Sequence, residues 1–520
     1  MYICFFAWLT FIAGTAPAQQ INIRDVGDRS QLFADQEIVY ESKGLSFTAH
    51  PARKHPSNPL LHADQPWEGW YVTAFAGTAL FDDEDRLFKL WYTCPGEREY
   101  SDTGVICYAT SDDGIHWKKP AVGTLTARNG KPHNAVSPFH CPSVFKDLND
   151  IDPSRRYKMI CYDRNRGYMS QVSPDGLHWR DGSERPIVPI SYVDDVISAF
   201  RDRRTGRFVA LAKMTTPIFG RQRRTIYLST SRDFNDWSKP EPAFSADRRD
   251  DLGSLARIER VRSLLNYPDN WNVMRTEFYG AGAYSAESCV IGFPWVFTIN
   301  ANVKPGTNQE GTIEPQLAVS TDLEQWSRPF RTPILPLGKP GDWDCGMILT
   351  ASQAIDVGDE VWLYYSGVNY THGAPILYGS AEEKRGKTYT GAIGLATWQR
   401  DRFISADADA GGTLTTVPLR FAGQRLELNA STFEDGEIRV EVLDAAGRPL
   451  EGGGISDAIR GDSLRHSVHF PGNPDLTKVS GSPICLKFHL RRADLFAFAF
   501  RGKEQTPTKR PPGQKGPPKK

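Results

Sequence analysis

The sequence predicts an all-β protein, a five-bladed β-propeller followed by a small C-terminal β-sandwich. Three observations predict it. A short turn element recurs along the chain, each copy follows a pair of apolar strand-like segments, and helical periodicity is nearly absent. Small antiparallel sheets repeated around one axis explain this pattern better than a parallel α/β fold does.

The recurring element has the form Ser-x-Asp-Gly-x-x-Trp, and its two best copies end at Trp117 and Trp179. Diverged copies end at Trp237 and Trp326, and a degenerate fifth ends at Trp398. The spacing of roughly 60 to 90 residues suits a four-stranded blade with its loops. In such a turn the Asp accepts backbone N–H bonds, the Gly adopts positive φ and the indole packs between sheets. We therefore expect an outer structural turn with buried indoles.

Five pairs of apolar segments precede these turns, and acidic or glycine-bearing hairpin turns link the members of each pair. The pairs are 78–81 with 88–92, 143–145 with 157–160, 197–200 with 208–211, 289–291 with 295–298, and 351–354 with 361–365. These five units place the propeller at residues 70–408.

The segments before and after the predicted propeller have different sequence patterns from it. Residues 1–18 are predicted to be a signal peptide, because the apolar run 3–12 is too short to span a bilayer and Ala16-Pro17-Ala18 offers a small-x-small cleavage site. Export, with a mature N-terminus near Gln19, is the expectation. Residues 19–69 are expected to be an extended segment and 412–501, with short alternating strands, a β-sandwich. Residues 502–520 are rich in Pro, Lys and Gly and are expected to be a disordered basic tail.

Composition excludes several classes of function. The 62 basic and 62 acidic residues give zero net charge, and no basic patch precedes the tail, so nucleic-acid binding is not indicated. No later stretch is long enough for a transmembrane helix. The seven cysteines after Cys4 contain no C-x-x-C pair, which argues against a zinc site, and a Cys94–Cys107 bridge across one hairpin stays open.

Five short segments carry a family resemblance. They are Pro66-Trp67-Glu68-Gly69, Arg155-Arg156-Tyr157-Lys158-Met159, Trp343-Asp344-Cys345-Gly346-Met347, Gly358–Tyr365 and Gly394-Leu395-Ala396. With them the chain resembles the five-bladed propeller glycoside hydrolases, the invertase-like and arabinanase-like families 32 and 43. It is more closely similar to exported bacterial proteins with an invertase-like N-terminal domain. The resemblance implies a carbohydrate substrate and glycosidic hydrolysis. The invertase-type Trp-x-Asn-Asp-Pro-Asn, Arg-Asp-Pro and Glu-Cys motifs are absent, so the candidate residues come from blade geometry instead.

Acids close to the start of an innermost strand can converge on the central pocket of a propeller. Glycosidic cleavage needs one carboxyl group to protonate the leaving oxygen and another to attack or to activate water. The candidates are Glu68, Asp195, Glu277 and Asp344. Strand alternation favours Asp195 over Asp194 and Asp344 over Asp342. Each acid has an alternative role as a turn cap or an arginine partner.

Sugar rings stack on aromatic faces, and sugar hydroxyls need paired polar groups. The residues expected to bind substrate are Trp67, Trp70, His140, Tyr279, Glu314, Trp343 and His372. For each histidine a hydrogen-bonded structural role is the alternative.

Two other functions stay open at this point. One is a carbohydrate-binding or cell-surface module that keeps the fold without turnover. The other is a six-bladed sialidase-like enzyme, suggested by the Asp-containing turns but opposed by five units and by the lack of an arginine cluster. No cofactor is expected, the metal requirement is undetermined, and a central Ca²⁺ held by Asp195 and water would suit an oxygen-rich propeller site.

Overall fold

The computed structural model describes residues 23–34, 36–95, 104–126, 130–189, 194–303, 308–450, 454–472 and 481–502. The predicted signal peptide and nearly all of the predicted basic tail lie outside these residues. The described chain is all-β with three short helices. None of its helices has the length and apolar character that crossing a membrane requires.

The N-terminal strands precede the first unit. They are β1 Arg24–Gly27, β2 Gln31–Leu32, β3 Val39–Lys43, β4 Ser46–Ala49, β5 Arg53–Lys54 and β6 Leu61–His62, followed by a 3₁₀ turn at Pro66–Glu68.

Three antiparallel sheets follow in chain order. The first unit is β7 Thr73–Asp82, β8 Leu87–Cys94, β9 Val105–Ser111 and β10 Ala135–Ser137. The second is β11 His140–Lys146, β12 Tyr157–Asp163, β13 Gly167–Ser173, β14 Arg180–Asp181 and β15 Val188–Pro189, with a 3₁₀ turn at Pro153–Arg155. The third is β16 Ile197–Arg201, β17 Phe208–Ile218, β18 Arg221–Ser231 and β19 Glu241–Phe244.

A helical segment precedes the fourth unit, with α1 at Arg248–Arg260 and a 3₁₀ turn at Arg262–Leu264. The fourth unit is β20 Arg275–Ser285, β21 Val290–Asn302, β22 Gln309–Pro315 and β23 Ala318–Ser320. The fifth is β24 Met347–Thr350, β25 Ile355–Val357, β26 Glu360–Val368 and β27 Gly391–Gln399, with α2 Pro375–Tyr378 and α3 Ala381–Lys384 before β27. The parallel pairing of Ile313 with Met347 joins these two units into one sheet.

Two sequence predictions of first strands are wrong. In the fourth unit the first strand is β20, and the predicted pair 289–291 with 295–298 forms parts of the single strand β21 and the turn before it. In the fifth unit the first strand ends at Thr350, just before the predicted segment 351–354. Gly292 and Pro294, residue types that are typical of turns, lie inside β21.

The first strands of the five units contact one another in a cycle, from β7 through β11, β16, β20 and β24 back to β7. Hydrogen bonds cross each junction. They run from Val144 N to Thr78 Oγ1 (2.9 Å), Ala199 N to Ser143 Oγ (2.9 Å), Ser198 Oγ to the Ala281 carbonyl, Ala283 N to the Ser352 carbonyl (3.0 Å) and Ser352 N to the Gly77 carbonyl (2.8 Å). Small hydroxyl side chains let neighbouring strands approach closely while keeping their buried polar groups paired.

The recurring turn has the predicted chemistry. Asp113 Oδ1 accepts backbone N–H bonds from Ile115 and His116, both at 2.8 Å, and Gly114 has φ +75°. The corresponding indoles, Trp117, Trp179, Trp237 and Trp326, are partly buried and pack against the cores of the units. The turn is therefore structural.

The N-terminal segment takes part in two sheets. Strands β5 and β6 pair with β27, so they add an outer edge to the fifth unit. The C-terminal strands are β28 Ile404–Ala408, β29 Gly412–Thr416, β30 Leu419–Phe421, β31 Arg425–Asp444, β32 Asp462–Ser467 and β33 Ile484–Arg501. Strands β1, β2, β3 and β4 pair with β30, β33, β29 and β28 of this sheet, respectively. These pairings join segments hundreds of residues apart, and such pairing leaves no local signal in the sequence.

Candidate functional site

One end of the strand cycle, called the mouth below, brings together Asp195 and Lys213 with Tyr279 of β20 and Phe75 of β7. Asp195 lies there, directly before β16, and its side chain keeps 51% of its area accessible. The ammonium of Lys213, on the neighbouring strand β17, pairs with Asp195 Oδ1 and is only 1% exposed. An accessible carboxylate therefore lies above a fully buried cation.

Charge sets the protonation state of this carboxyl group. Burial among protein atoms works to raise the pKa of Asp195, but the charge and hydrogen bond of Lys213 outweigh it, and Arg224 and His372 add to their effect. The pKa of Asp195 is lowered to about 2. Asp195 is therefore ionised across the physiological pH range.

Two further acids continue the charge network. Asp194 is 34% exposed and lies 3.4 Å from Lys213 Nζ and 3.7 Å from Arg224 Nε. Arg224 also donates to Glu277 Oε2 at 2.6 Å, and Arg275 donates to Glu277 Oε1 at 2.6 Å. Glu277 is almost completely buried between the two guanidinium groups. One guanidinium thus links Asp194 to Glu277, with only Asp194 facing solvent.

Aromatic rings form the wall of the mouth. Lys213 Nζ lies 3.8 Å from the ring centroid of Tyr279, and Arg224 lies 5.3 Å from the same centroid. The rings of Phe75 and His372 pack against Tyr279 on its other sides, with centroid distances of 6.4 Å and 5.2 Å. Cation–π contact at this distance fixes the ring face against the buried ammonium.

His372 is buried behind Tyr279. Its Nδ1 lies 2.8 Å from the Gln309 backbone carbonyl oxygen, and its Nε2 lies 3.3 Å from Tyr279 Oη. Burial lowers the pKa of His372 to about 4, and the cations of Arg224 and Lys213 act in the same direction. His372 is therefore neutral near pH 7.

Two of the predicted acids lie in other networks. Glu68 is completely buried, accepts from Asp64 N and Gln65 N at 3.0 Å each, and pairs with Lys119 and with the Tyr92 hydroxyl. Asp344 is buried beneath Lys54, with Nζ to Oδ2 at 2.6 Å, and accepts from the Tyr365 hydroxyl at 2.9 Å. Both carboxylates hold local structure together, which is the alternative role considered for each acid.

Most of the remaining predicted residues also make structural contacts, and Trp70 packs close to the mouth. Glu314 is buried and pairs with Arg260, with Nη1 to Oε2 at 3.2 Å. Trp67 donates to Asn134 Oδ1 at 2.7 Å, and Trp343 stacks on Tyr365. Trp70 is 38% exposed and packs against Tyr71 and Tyr370, and Tyr370 belongs to the same core cluster as the mouth residues. His140 begins β11 opposite Tyr162.

Lys213 and Arg224 were missed from the sequence. A usable signal existed for Lys213, because a lysine inside the apolar run of β17 needs a buried partner. Arg224 stands in a run of four polar residues at the start of β18, where nothing distinguishes it from its neighbours.

The mouth does not fit the calcium ion considered above. Lys213 already pairs with Asp195, and a second cation, Arg224, lies beside it. Within the described residues no group of three or more His, Cys, Asp or Glu side chains could hold a metal ion. No catalytic or binding role is therefore assigned to a metal ion at the mouth.

Comparison with known proteins gives similarity to solved structures only. No protein-family model and no curated protein matches the sequence. A glycosyl hydrolase from Bacteroides ovatus is 12% identical, with 71% of this chain and 98% of that chain covered at a TM-score of 0.41. A thermostable family-43 glycoside hydrolase is 14% identical (66% and 95% covered, TM-score 0.40), and a β-1,2-mannobiose phosphorylase from Listeria innocua is 15% identical (67% and 96%, TM-score 0.40).

Proposed function

We propose that this chain is an exported carbohydrate-active enzyme, a glycoside hydrolase of an oligo- or polysaccharide, with its site at the mouth around Asp195. One observation carries the proposal: an accessible, ionised carboxylate lies over the buried Lys213 and beside the Tyr279 ring, where five first strands meet. Aromatic walls with a few convergent polar groups are typical of sugar sites.

The protonation states assign roles. An ionised Asp195 can attack the anomeric carbon or activate water, but it cannot deliver a proton near neutral pH. His372 is neutral and its ring nitrogens are both engaged, so it is not the acid. Asp194 lies beside the same two cations as Asp195, and Glu277 is enclosed by two arginines, so neither is assigned as the proton donor and only Asp195 is given a catalytic role.

We further propose that the five units are the blades of one propeller and that the C-terminal strands form a sandwich. The closed cycle of first strands and their hydrogen bonds support five blades. The two long strands β31 and β33, which pair with each other along most of their length, support a compact second β-region. An experimental structure with a sixth sheet in the ring would contradict the five-bladed arrangement.

A second function, carbohydrate binding without turnover, is favoured by a different observation. Three of the four predicted acids, Glu68, Glu277 and Asp344, are sequestered in ion pairs, which leaves Asp195 and Asp194 as the exposed carboxyl groups of the network. A binding module needs no acid and base.

The deciding experiment is a screen of the purified protein against oligo- and polysaccharides, with reducing-end detection for cleavage and calorimetry for binding. New reducing ends from at least one substrate would demonstrate hydrolysis. Asp195→Asn should lower the rate of this hydrolysis at least a thousandfold while the protein stays folded. Asp112→Asn, on an outer turn and paired only at the surface with Lys118, is the matched control and should keep full activity. Binding without new reducing ends would favour the second function.

Export has its own test. The protein recovered from outside the cytoplasm should begin near Gln19 when sequenced from its N-terminus, because the small-x-small site ends at Ala18. An intact Met1 on exported protein would contradict cleavage at this site.

A further inference from the structure

The hydrogen bonds of His372 determine which of its ring nitrogens carries the proton. Nδ1 lies 2.8 Å from the Gln309 backbone carbonyl oxygen, and a carbonyl oxygen only accepts. Nδ1 must therefore be the protonated nitrogen. In a neutral ring Nε2 is then an acceptor, so the Tyr279 hydroxyl, 3.3 Å away, donates its proton to Nε2.

The surroundings of His372 keep the ring neutral. The charged groups that influence it are Lys213, Arg224 and Asp195, and its titratable aromatic neighbours are Tyr279 and Tyr378. Lys213 and Arg224 disfavour a charged ring and Asp195 favours it, and the ring also packs on Phe297 at 4.8 Å. Protonation of His372 would place a further cation close to Lys213 and Arg224.

Tyr279 is held from two directions. The Lys213 ammonium lies 3.8 Å from its ring centroid, and His372 takes its hydroxyl proton. The ring remains partly exposed beside the accessible Asp195. With its proton committed to His372, the hydroxyl oxygen offers lone pairs, and no proton, to a ligand.

We propose that Tyr279 and His372 together form a hydrogen-bond acceptor that selects a donor hydroxyl group of the bound sugar, with His372 as the positioning residue. This inference rests on the proposed carbohydrate site. It assigns a specificity that stacking alone does not supply, because the pair rejects a sugar in which that hydroxyl is replaced by hydrogen or by a methyl ether.

The first test measures the tautomer and needs no substrate. Long-range ¹H–¹⁵N spectra of protein labelled at its eleven histidines distinguish the two nitrogens, and His372→Asn identifies the His372 signals by their loss. We expect a neutral ring with Nδ1 protonated, unchanged from pH 8 to pH 5. A ring protonated at Nε2, or an imidazolium at pH 6, would overturn the proposal.

The second test measures specificity by calorimetry with the tightest-binding sugar of the screen and its monodeoxy analogues. Tyr279→Phe keeps the ring against Lys213 and removes only the hydroxyl group. We expect about a tenfold loss of affinity for the parent sugar and no loss for one particular deoxy analogue, while Tyr40→Phe, an exposed tyrosine in β3, changes nothing. Equal losses for the parent and every analogue would overturn the proposal. If no sugar binds the wild-type protein, the proposed function fails and the sugar-selecting role with it, whereas the tautomer remains decided by the spectra.

Discussion

Two lysine–aspartate pairs in this molecule have opposite geometry. At the mouth, Lys213 is 1% exposed and Asp195 is 51% exposed. In the fifth unit, Lys54 is 28% exposed and Asp344 only 3%. Both acids precede or adjoin a first strand, but only the first pair presents its carboxylate to a ligand. Exposure of the acid separates the two arrangements, whereas a buried cation alone does not, because Lys119 is also buried over the buried Glu68.

The largest effect is expected from removing the buried cation at the mouth. In Lys213→Met, Asp195 loses the main partner that lowers its pKa, and Asp194 and Asp195 lose the ammonium group that both contact, with Arg224 as the remaining nearby cation. Turnover should fall about a hundredfold or more, and the acidic limb of kcat/KM against pH should move upward by at least about one pH unit. A variant that folds, as judged by near-ultraviolet circular dichroism, but keeps the wild-type pH profile would contradict this role of Lys213.

Removing the charge of the buried acid should affect stability and leave chemistry intact. Asp344→Asn weakens the bonds from Lys54 and Tyr365 and should lower the free energy of unfolding by about 2 kcal/mol, since one partner remains partly solvated. Denaturant unfolding measures this cost, and turnover of the folded variant should stay within about twofold of wild type. A turnover loss like that of Asp195→Asn would place Asp344 in the site after all.

The smallest effect concerns a third pair, two acids in the C-terminal region. Asp494 and Asp407 lie directly opposite on β33 and β28, and burial and then the charge of Asp407 raise the pKa of Asp494 to about 6. Because the folded-state pKa lies above the unfolded value of 3.8, this pair contributes stability below about pH 4 that is lost as the pH rises through 6.

Asp494→Asn should therefore stabilise the protein by about 1 kcal/mol at pH 7 and have little effect at pH 4. Unfolding curves at the two pH values measure the difference. Asp435→Asn, an exposed acid whose ion pair with Arg492 lies at the surface, is the control and should show no such pH dependence.

The sequence predicted local structure well where the chemistry is local. The recurring Asp-Gly turns, most hairpins and the position of Asp195 at the start of a first strand follow from turn residues and period-two alternation, and the structure has them. It misplaced the first strands of the fourth and fifth units, because β21 and β24 are buried almost throughout and therefore show no alternation of exposed and buried residues.

Tertiary structure alone decided which acids stay accessible. Asp344 is covered by Lys54, which is 290 residues away in the sequence, and Glu68 by Lys119, 51 residues away. The pairing of β5 and β6 with β27 places Lys54 there. The sequence by itself determined an all-β chain with repeated hairpins and acids near strand starts. Exposure of each carboxylate depended on contacts between distant segments, because desolvation and ion pairing act through space and leave no pattern along the chain.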